Sequence, residues 1–596
     1  MPTNTAAAPP SNDSAPAALQ TPRVPPAVHG FQVNFCKNPS CGNFGVAVAA
    51  TATKGRKATN PYVIVASGKG MPAAKCNDCG EIFPLKSNQG IFEETWRIHT
   101  ETFPLASCPK PLCENHRIPV NTPKAYHSYG ETKVGSKRYR CKKCGDTFSV
   151  KPKGINPTAR QVKADKNNLI LRMLAGKMPL RRICEAADIA PRVLYGRIDF
   201  FHRQALAFLA DKESKIPEMD IKRLYIGVDR QDYAINWSRR KDKRNVIISA
   251  VASADNVTGY VFGMHPNFDP EMNPDEMEVE AAAIGDAAMS RPHRKFARLW
   301  LNADYQAAVA QSAKAKAAGS LAGSIAATYA AAAKRADIEA PDQLAPEDAL
   351  PSSGGMQVHS EYTLYGHFLH MRRLLRNVGK TRFFLDQDSG MRAACLGAFA
   401  DLIKSRACDA FYVRISKDLT VDQKRRLKKL AQDAFDEEMS KHPGLTKNAV
   451  KLILLKDGIA NARQIGQWKD RWVFHPMPSM SEPEKAICYL TDQGDYDDDH
   501  LAWLLNKASL HAVDSWFNRL RRRSSMLERP IPSSANRGRV WNGYSAYRPE
   551  QISKLLTIYR ACHNYVWTSE TRSDTPAMRL GFVKAVLDYD EIINFT

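Results

Sequence analysis

Eight of the thirteen cysteines lie before residue 145, in a pattern that occurs twice. In each copy a pair separated by four residues is followed by a pair separated by two residues. The eight residues are Cys36, Cys41, Cys76, Cys79, Cys108, Cys113, Cys141 and Cys144. Two such pairs, brought together by the intervening chain, provide the four sulfur ligands of a tetrahedral structural zinc site. We therefore predict two β zinc ribbons in tandem with two structural Zn²⁺ ions.

The flanking sequences repeat as well. FCKNPSCGN is similar to SCPKPLCEN, and KCNDCGEIF is similar to RCKKCGDTF. Disulfides, or cysteines that only pack, are the alternatives, but a glycine after the second pair is typical of a zinc knuckle. The other five cysteines are scattered, which suits reduced thiols in a cytosol.

Three aspartates are candidates for a catalytic metal site. Asp229 ends the apolar strand LYIGV, and Asp386 ends the apolar strand RFFL. Acids at the tips of neighbouring strands point into the crevice outside the strand ends. Asp514, in HAVDSWFNRLRRR, lies on one helix face with Asn518 and Arg521. Converging carboxylates repel one another unless cations lie between them, and two Mg²⁺ ions would suit an in-line phosphoryl displacement.

Other acids compete for these roles, since aspartate at a strand end is also common turn chemistry. Asp232 and Asp388 are close rivals on the same two segments, and Glu528 in SSMLERP is the rival for the helix acid. The acidic turn DYDDDH is interpreted as a solvated helix cap, which the helix dipole favours.

Two short helices, a tight turn and a third helix are predicted between the ribbons and the first acid. LILRMLAGK, MPLRRICEAADI and APRVLYGRIDFFHRQALAFL have helical periodicity, with a tight turn at 188–191 before the third. This order is the helix-turn-helix layout, although an ordinary three-helix packing element has it too. Arg192, Tyr195 and Arg197 on the third helix are the candidates for DNA contact.

The rest of the chain predicts a mixed α/β core. LYIGVDRQDYAINW and NVIISAVASADNVTGYVFG predict a strand meander joined by the turn SRRKDKR, and later strands alternate with helices. An Ala-rich stretch of 307–336 predicts a helical insertion, 420–445 a charged helix, and the segment from LAWLLNKASL to LRRR one long helix.

The composition indicates which class of partner the protein binds. The formal net charge of +23 and a pI of about 9.4 favour a polyanion. Membrane surface is the competing partner, but no apolar run approaches the ~18 residues needed to span a bilayer. The first 30 residues lack the features of a signal peptide and are interpreted as a disordered tail. We expect a cytoplasmic, nucleoid-associated protein.

The order of these features resembles a known family. A zinc ribbon with RYRCKKCGDTFS, a helix-turn-helix, two strands ending in Asp, and a helix acid followed by N-x-L-R-R resemble the bacterial insertion-sequence transposases. The tail, from RRRSSMLERP to YRPEQISKLLTIYRACHNYVW, also looks like the ending of these enzymes. The resemblance covers roughly residues 31 to 570, unevenly, and implies a ribonuclease H-like core with an acidic triad.

The resemblance assigns the acids one by one. The family's two strand aspartates fall on Asp229 and Asp386, and its helix acid, usually Glu, falls on Asp514. An Asp-Asp-Asp variant, a neighbouring residue in the role, or an inactive core would each account for that departure. The doubled ribbon and the Ala-rich insertion are further departures.

The resulting domain boundaries follow the motifs. They are a tail (1–30), ribbon one (31–85), ribbon two (103–150), a helix-turn-helix (160–212), a core (220–530) with an insertion at about 270–360, and a helical C-terminal tail (531–596).

The leading hypothesis is a DNA transposase. It would bind the inverted repeats of its element as a homo-oligomer on double-stranded DNA, nick the strand ends and join them to target DNA. Phosphate contacts are assigned to Arg521, Arg522 and Arg523, although a solvated basic helix end is the plainer interpretation. A non-catalytic DNA-binding regulator on a decayed core is the alternative, and a structure-specific nuclease is a third.

Overall fold

The computed structural model describes residues 23–49, 60–67, 71–104, 106–133, 135–150, 157–159, 161–235, 246–305, 323, 325, 354–416, 419–466, 470–528, 548–569 and 571–596. Most of the predicted tail, the turn SRRKDKR and nearly all of the Ala-rich stretch lie outside these ranges. The described part is mixed α/β, as the sequence predicts, with an eight-stranded mixed sheet at its centre.

The strands, in chain order, are β1 (Tyr62–Ser67), β2 (Met71–Cys76), β3 (Ile82–Pro84), β4 (Tyr126–Glu131), β5 (Lys137–Cys141), β6 (Thr147–Val150), β7 (Arg223–Ile235), β8 (Val246–Asp255), β9 (Val261–Pro266), β10 (Phe268–Asp269), β11 (Met356–Gln357), β12 (Lys380–Asp386), β13 (Cys408–Ile415), β14 (Arg463–Ile465), β15 (Asp470–Phe474) and β16 (Lys485–Tyr489).

The α-helices of the described ranges are α1 (Asn88–Thr102), α2 (Asn167–Ala175), α3 (Leu180–Ala187), α4 (Pro191–Glu213), α5 (Pro274–Ala283), α6 (Ser360–Leu374), α7 (Ser389–Ala398), α8 (Ala400–Lys404), α9 (Val421–Lys441), α10 (Lys447–Ala460), α11 (Asp498–Lys507), α12 (His511–Arg523), α13 (Pro549–Tyr565), α14 (Pro576–Leu580) and α15 (Tyr589–Ile593). None of the helices within these ranges is long and apolar enough to cross a membrane.

The central sheet has the strand order β14-β15-β16-β13-β12-β7-β8-β9. β7, β8 and β9 form the predicted antiparallel meander. β12 lies parallel to β7, and β13 lies parallel to β12. β16 then pairs antiparallel with β13. The carboxyl ends of β7, β12 and β13 therefore point the same way.

Helices cover both faces of this sheet. On one face Phe383 of β12 packs against Phe368 of α6, with ring centres 5.7 Å apart. On the opposite face Tyr225 of β7 packs against Trp503 of α11, at 6.0 Å. The sheet is thus the middle layer of three, and the second face carries α11 and α12.

The predicted single helix near the C-terminus is wrong, because it is broken into α11 and α12. Ala508 has an extended backbone, with ψ 117°. Lys485 Nζ donates to the Ala508 carbonyl at 2.9 Å, and the Ser509 hydroxyl donates to Glu482 at 2.6 Å. The contacts from Glu482 and Lys485 stabilise the break between the two helices. Hydrophobic periodicity alone does not reveal this break.

The three predicted helices are present as α2, α3 and α4. α2 ends at Gly176, and the turn before α4 contains Asp188 in the left-handed conformation at φ 49°. α4 continues to Glu213, whose carboxylate is fully buried against Arg560 of α13. The third helix and the C-terminal segment therefore share one hydrophobic core with the central sheet.

α1 connects the two ribbons and was not predicted. Its N-terminus is capped by Ser87, whose hydroxyl accepts from Gly90 N at 3.1 Å. Gly366 of α6 lies so close to α1 that an added side-chain carbon would come within 3.0 Å of Ile98 Cδ1. The ribbon connection is therefore packed directly on the core.

A buried ion network ties α1 and ribbon two to the base of the insertion. Asp269 of β10 accepts from both terminal nitrogens of Arg117, at 2.8 and 2.6 Å, and from Arg298 at 2.8 Å. Arg298 and the fully buried Arg97 both contact Glu94 of α1. Burial alone would raise the pKa of Asp269, but the guanidinium charges hold it well below its usual range.

We expect Asp269→Asn to lower the free energy of unfolding by about 3–5 kcal/mol, because it leaves buried guanidinium groups without a counter-charge. Glu271→Gln is the matched control. Glu271 also pairs with Arg117, at 2.9 Å, but its side chain is 55% exposed. The control should cost no more than about 1 kcal/mol. Urea unfolding measures both, and equal losses would show that the network does not carry this stability.

Four buried histidines lie where α1, α6 and β9 meet: His99, His265, His367 and His370. His265 Nδ1 lies 2.8 Å from His367 Nδ1, and His367 Nε2 lies 2.6 Å from the Ser253 hydroxyl. Burial lowers the pKa of His367 to about 3, and burial with the nearby Arg373 lowers that of His99 to about 4. This junction therefore contains neutral imidazoles.

Stability should fall as the pH drops below about 6.5, because the unfolded chain then binds protons that the buried histidines do not. The loss should continue toward pH 4, at up to about 1.4 kcal/mol per pH unit for each histidine. His370→Leu removes one such group, so the slope of unfolding free energy against pH should fall by about one proton. An unchanged slope over pH 6.5 to 4.5 would contradict this assignment.

Candidate functional site

The eight predicted cysteines form two four-sulfur clusters. Within each cluster all ligand atoms lie within 4.8 Å of one another. Closest sulfur pairs are 3.5 Å (Cys36–Cys79) and 3.7 Å (Cys41–Cys76) in the first cluster, and 3.5 Å (Cys108–Cys144) and 3.6 Å (Cys113–Cys141) in the second. A zinc–sulfur bond of about 2.3 Å gives a tetrahedron with edges of about 3.8 Å. The sulfurs are too far apart for disulfides, which need about 2.05 Å, and their spacing fits zinc.

Polar hydrogens surround the sulfurs. Asn43 donates its backbone N–H to Cys41 Sγ and its side-chain amide to Cys76 Sγ, both at 3.4 Å. Asn115 does the same in the second cluster, to Cys113 at 3.4 Å and to Cys141 at 3.3 Å. Such contacts orient and stabilise thiolate ligands.

Each cluster is supported by a tyrosine that the sequence repeat did not draw attention to. Tyr62 OH accepts from Cys36 N at 3.0 Å and packs edge-on against Phe83. Tyr126 OH accepts from Cys108 N at 2.9 Å and packs in the same way against Phe148. The two tyrosines begin β1 and β4, so the internal duplication extends beyond the cysteines and their immediate flanks.

The two ribbons differ in their surroundings. In ribbon one Glu81 accepts from Lys37 N at 2.8 Å and pairs with Arg392 of α7 at 3.2 Å. Phe44 of the same ribbon belongs to the main hydrophobic core. In ribbon two the five residues of β4 after Tyr126 are exposed. Ribbon one is therefore docked on the core, whereas ribbon two offers a free strand face.

The thiols need a cation to lose their protons together. Burial raises the pKa of Cys36 and Cys108 well above the usual range, and it raises those of Cys41 and Cys113 to about 11. Cys141 is also desolvated, but hydrogen bonds led by the Cys144 N–H bring its pKa to about 7. Zn²⁺ supplies the compensating charge at such sites.

The second candidate site is the crevice at the carboxyl end of β12, next to the middle of β7. Asp386 ends β12 as predicted, but the prediction that Asp229 ends its strand is wrong, because β7 continues to Ile235 through its pairing with β8. Val228 is the parallel partner of Leu385, so the next residues along the two strands are Asp229 and Asp386. Because neighbouring strands lie about 4.8 Å apart and corresponding residues share a face, the two aspartates are adjacent on one face. Asp229 is buried and Asp386 is half-buried.

α12 covers this face of the sheet. Gly227 lies two residues before Asp229 and therefore on the same face. A side-chain carbon at Gly227 would lie 3.4 Å from the Ser509 carbonyl oxygen and 3.6 Å from Leu510 Cα. The Asn256 side chain holds this point by donating to the Ser509 carbonyl at 2.7 Å and accepting from Ala512 N at 3.3 Å. The helix thus begins in close contact with β7.

The cross-strand register shows which strands the two sides of α12 face. Asp229 pairs with Ala252, which pairs with Met264 of β9. Trp516 Nε1 donates to Met264 Sδ at 3.1 Å. At 3.6 residues per turn, Asp514 lies about 160° around the helix from Trp516. Since Trp516 faces β9, the half-buried Asp514 lies on the opposite flank, toward β12.

The rival acids have other roles or positions. Asp388 caps α7 through Met391 N at 2.9 Å and pairs with Arg230 at 2.6 Å. Asp232 is exposed and, three residues from Asp229, lies on the opposite face of β7. Glu528 pairs with Lys177 at 2.8 Å, next to the loop after α2. In the turn DYDDDH, Asp497 is the predicted cap, since its side chain accepts from His500 N at 2.7 Å.

The candidate DNA-contact residues differ in exposure. Arg192 and Tyr195 are exposed on α4, whereas Arg197 is only 7% exposed and donates to the Val162 carbonyl. Arg197 thus stabilises the connection before α2 rather than facing solvent. At the end of α12, Arg522 is exposed, Arg521 is half-buried, and Arg523 lies 4.6 Å from the ring centre of Trp567.

Among the described residues, two groups of three or more Cys, His, Asp or Glu have ligand atoms that all lie within 4.8 Å of one another. These groups are the two cysteine clusters. The three aspartates are not such a group in this conformation, as expected for like charges without a cation between them. No protein-family model matches the chain, and no curated protein matches it either.

The purified protein should contain two zinc ions per chain, and Cys141→Ser should reduce this to one. Loss of one thiolate from a four-sulfur site weakens the metal and unfolds the ribbon that depends on it. Cys184→Ser is the control, because Cys184 lies in α3, outside both clusters. Elemental analysis of folded protein tests this, and zinc-free folded protein would contradict the assignment.

Proposed function

We propose that this chain is a DNA transposase with a ribonuclease H-like core, which cuts and joins DNA strands at Asp229, Asp386 and Asp514. The observation that carries the proposal is the side-by-side position of Asp229 and Asp386 beneath α12. An unrelated sheet has no need to align two acids one residue beyond a buried parallel pair.

The strand order supports the proposed core. In a ribonuclease H-like sheet, three strands form an antiparallel meander. Two more strands, parallel to the first strand of the meander, lie on its other side. The order β9-β8-β7-β12-β13 has this pattern of neighbours and directions. Three further strands, β16, β15 and β14, extend the sheet beyond β13.

The donor set suits Mg²⁺, which prefers carboxylate and water oxygens. Asp229 and Asp386 would hold the metal, with Asp514 as the third carboxylate. When bound, the metal would activate water and stabilise the charge that develops on the phosphate oxygens. Glu482 and Asn256 act as positioning residues, since they fix the start of α12 and so the height of Asp514 above the sheet.

Two surfaces are assigned to the DNA. The exposed Arg192 and Tyr195 of α4 would contact the element ends through the helix-turn-helix. Arg521, Arg522 and Arg523 lie about two to two and a half turns beyond Asp514 on the same helix and would hold the phosphates next to the cut. Joining two element ends needs two such sites, so we propose a homo-oligomer on double-stranded DNA.

A DNA-binding regulator on an inactive core is the second candidate. One observation favours it: the third acid is Asp rather than the longer Glu. Such a protein would bind DNA but would not nick it in the presence of Mg²⁺.

Asp229→Asn should reduce Mg²⁺-dependent nicking at least about a hundredfold while leaving DNA binding intact, because the metal supplies several kcal/mol of transition-state stabilisation. Asp232→Asn is the matched control on the opposite face of the same strand and should keep full activity. The assay is nicking of a supercoiled plasmid that carries the ends of the element.

Asp514 is tested in the same assay. Asp514→Asn should lose activity, and Asp514→Glu should retain it, because the longer acid restores the family's usual residue. If nicking survives in Asp514→Asn but is lost in Glu528→Gln, the helix acid is Glu528. If it survives in Asp229→Asn, Asp386→Asn and Asp514→Asn, the acidic site is rejected.

A further inference from the structure

The helix α9 has its charges sorted along its length. Its first ten residues, VDQKRRLKKL, contain five cations and one acid, Asp422. We call these cations the basic arm: Lys424, Arg425, Arg426, Lys428 and Lys429. The following residues contain four acids before Lys441: Asp433, Asp436, Glu437 and Glu438.

This order opposes the helix's own electrostatics. The helix dipole favours acids near the N-terminus and bases near the C-terminus. In the basic arm Lys424 and Lys428, and likewise Arg425 and Lys429, are like charges four residues apart, which destabilises a helix. A capping box at Thr420 starts the helix in spite of this. The charge order is therefore not explained by the stability of α9.

Four of the five cations of the basic arm are exposed, and Lys424 is half-buried. Phe435 is the buried residue of α9, and it lies beyond the basic arm, so the half that contains the arm lies at the surface. The Arg425 side chain is 72% exposed, and its ion pair with Asp422 is long, at 3.7 Å. On a helical wheel Arg426 and Lys429 lie on the face opposite Phe435, about 180° and 120° from it, and Arg425 lies on the flank, about 80° from it. Within the described ranges, Arg426 and Lys429 have no acidic partner within 4.0 Å.

The acids of the second half are only partly paired. Lys441 pairs with Glu437 at 3.0 Å and with Glu438 at 3.2 Å, and His442 lies 3.0 Å from Glu438. Gln432 donates to Asp436 at 2.8 Å but is neutral, so this half of α9 stays net negative. Pairing of the basic arm with a second copy is therefore the competing outcome, whereas the net charge of +23 of the whole chain favours an external polyanion.

The basic arm starts at the sheet edge that carries the aspartates. Val413 of β13 is the parallel partner of Asp386, and β13 ends at Ile415, in the direction of the acids. Five residues separate Ile415 from Val421, a reach of at most about 20 Å, and Lys429 lies about 12 Å along the helix. Since Ile415 itself lies about 8 Å from Asp386, the basic arm lies within about 40 Å of Asp386, little more than one turn of duplex DNA, ~34 Å.

We propose that the basic arm binds the phosphate backbone of duplex DNA beside the acidic crevice, without reading its sequence. This proposal rests on the proposed function for the position of the DNA. It adds a third, sequence-independent contact, separate from the helix-turn-helix and from the arginines of α12. Lysines and arginines exposed on a helix can contact the phosphates of a duplex. Phosphate contacts supply affinity and register rather than specificity.

The test is the salt dependence of DNA binding by the full chain. The triple variant Arg425→Gln, Arg426→Gln, Lys429→Gln should reduce the slope of log affinity against log salt by about 2.7, at about 0.9 per lost phosphate contact. It should weaken specific and random duplexes by the same factor, and reduce nicking in proportion to the DNA bound. Arg425→Lys with Arg426→Lys keeps the charge and should restore the slope.

The matched control removes the same charge at the opposite edge of the sheet. Lys222, Arg223 and Arg376 are exposed near the start of β7, and Gly379 beside them bonds to the Ile221 carbonyl. The variant Lys222→Gln, Arg223→Gln, Arg376→Gln should leave the slope unchanged. Equal slopes for the two triple variants would overturn the proposal, as would a basic-arm variant that changes only the DNA-free oligomeric state in sedimentation.

The two proposals fail separately. If the wild-type chain binds DNA and the basic arm contributes to the slope but no strand is nicked, the basic arm stands and the transposase proposal falls. If nicking occurs and the basic-arm variant matches its control, only the basic-arm proposal falls. If the chain binds no duplex at low salt, both are overturned.

Discussion

The parallel pairing of β7 with β12 is the constraint on which the proposed site depends. It fixes Val228 beside Leu385, and thus Asp229 beside Asp386, on the face that α12 covers. A shift of one residue in either strand would move one aspartate to the other face of the sheet. Gly227 faces the start of α12, where an added side-chain carbon would already be in van der Waals contact with Leu510 Cα, at 3.6 Å, so little room remains for a longer side chain. Backbone register, rather than any contact between the acids, therefore decides what can converge in the crevice.

The N-terminal ribbons pack on the core and are not separate modules joined to it by flexible linkers. Ribbon one contacts α7 through Glu81 and Arg392, and α1 packs on α6. Ribbon two is held by Arg117 in the buried network around Asp269. Zinc loading at the ribbons and the packing of the core are consequently linked, because each ribbon shares buried charges with the body.

Much of this could be predicted from local sequence, and the rest depends on tertiary contacts. Paired cysteines with glycine at the knuckle indicate zinc, and the four-sulfur clusters confirm that they can hold it. The strands around Asp229 and Asp386 were predicted from apolar runs. By contrast α1 has a polar, charged sequence whose Glu94 and Arg97 are buried only because they pair with each other and with Arg298. Arg197 was expected on the DNA face for its charge, but its contact with Val162 turns it inward, and no local pattern encodes that.

The charge order of α9 is a second feature whose significance depends on tertiary structure. Its cations were visible in the sequence as a charged helix, but their significance depends on where β13 ends relative to Asp386. The acidic site itself remains the central claim, and metal binding tests it most directly. Crystals soaked in Mn²⁺ should show an anomalous peak between the carboxylates of Asp229 and Asp386, and none there in Asp386→Asn. Mn²⁺ bound elsewhere, or absent from this crevice when DNA is also present, would contradict the account.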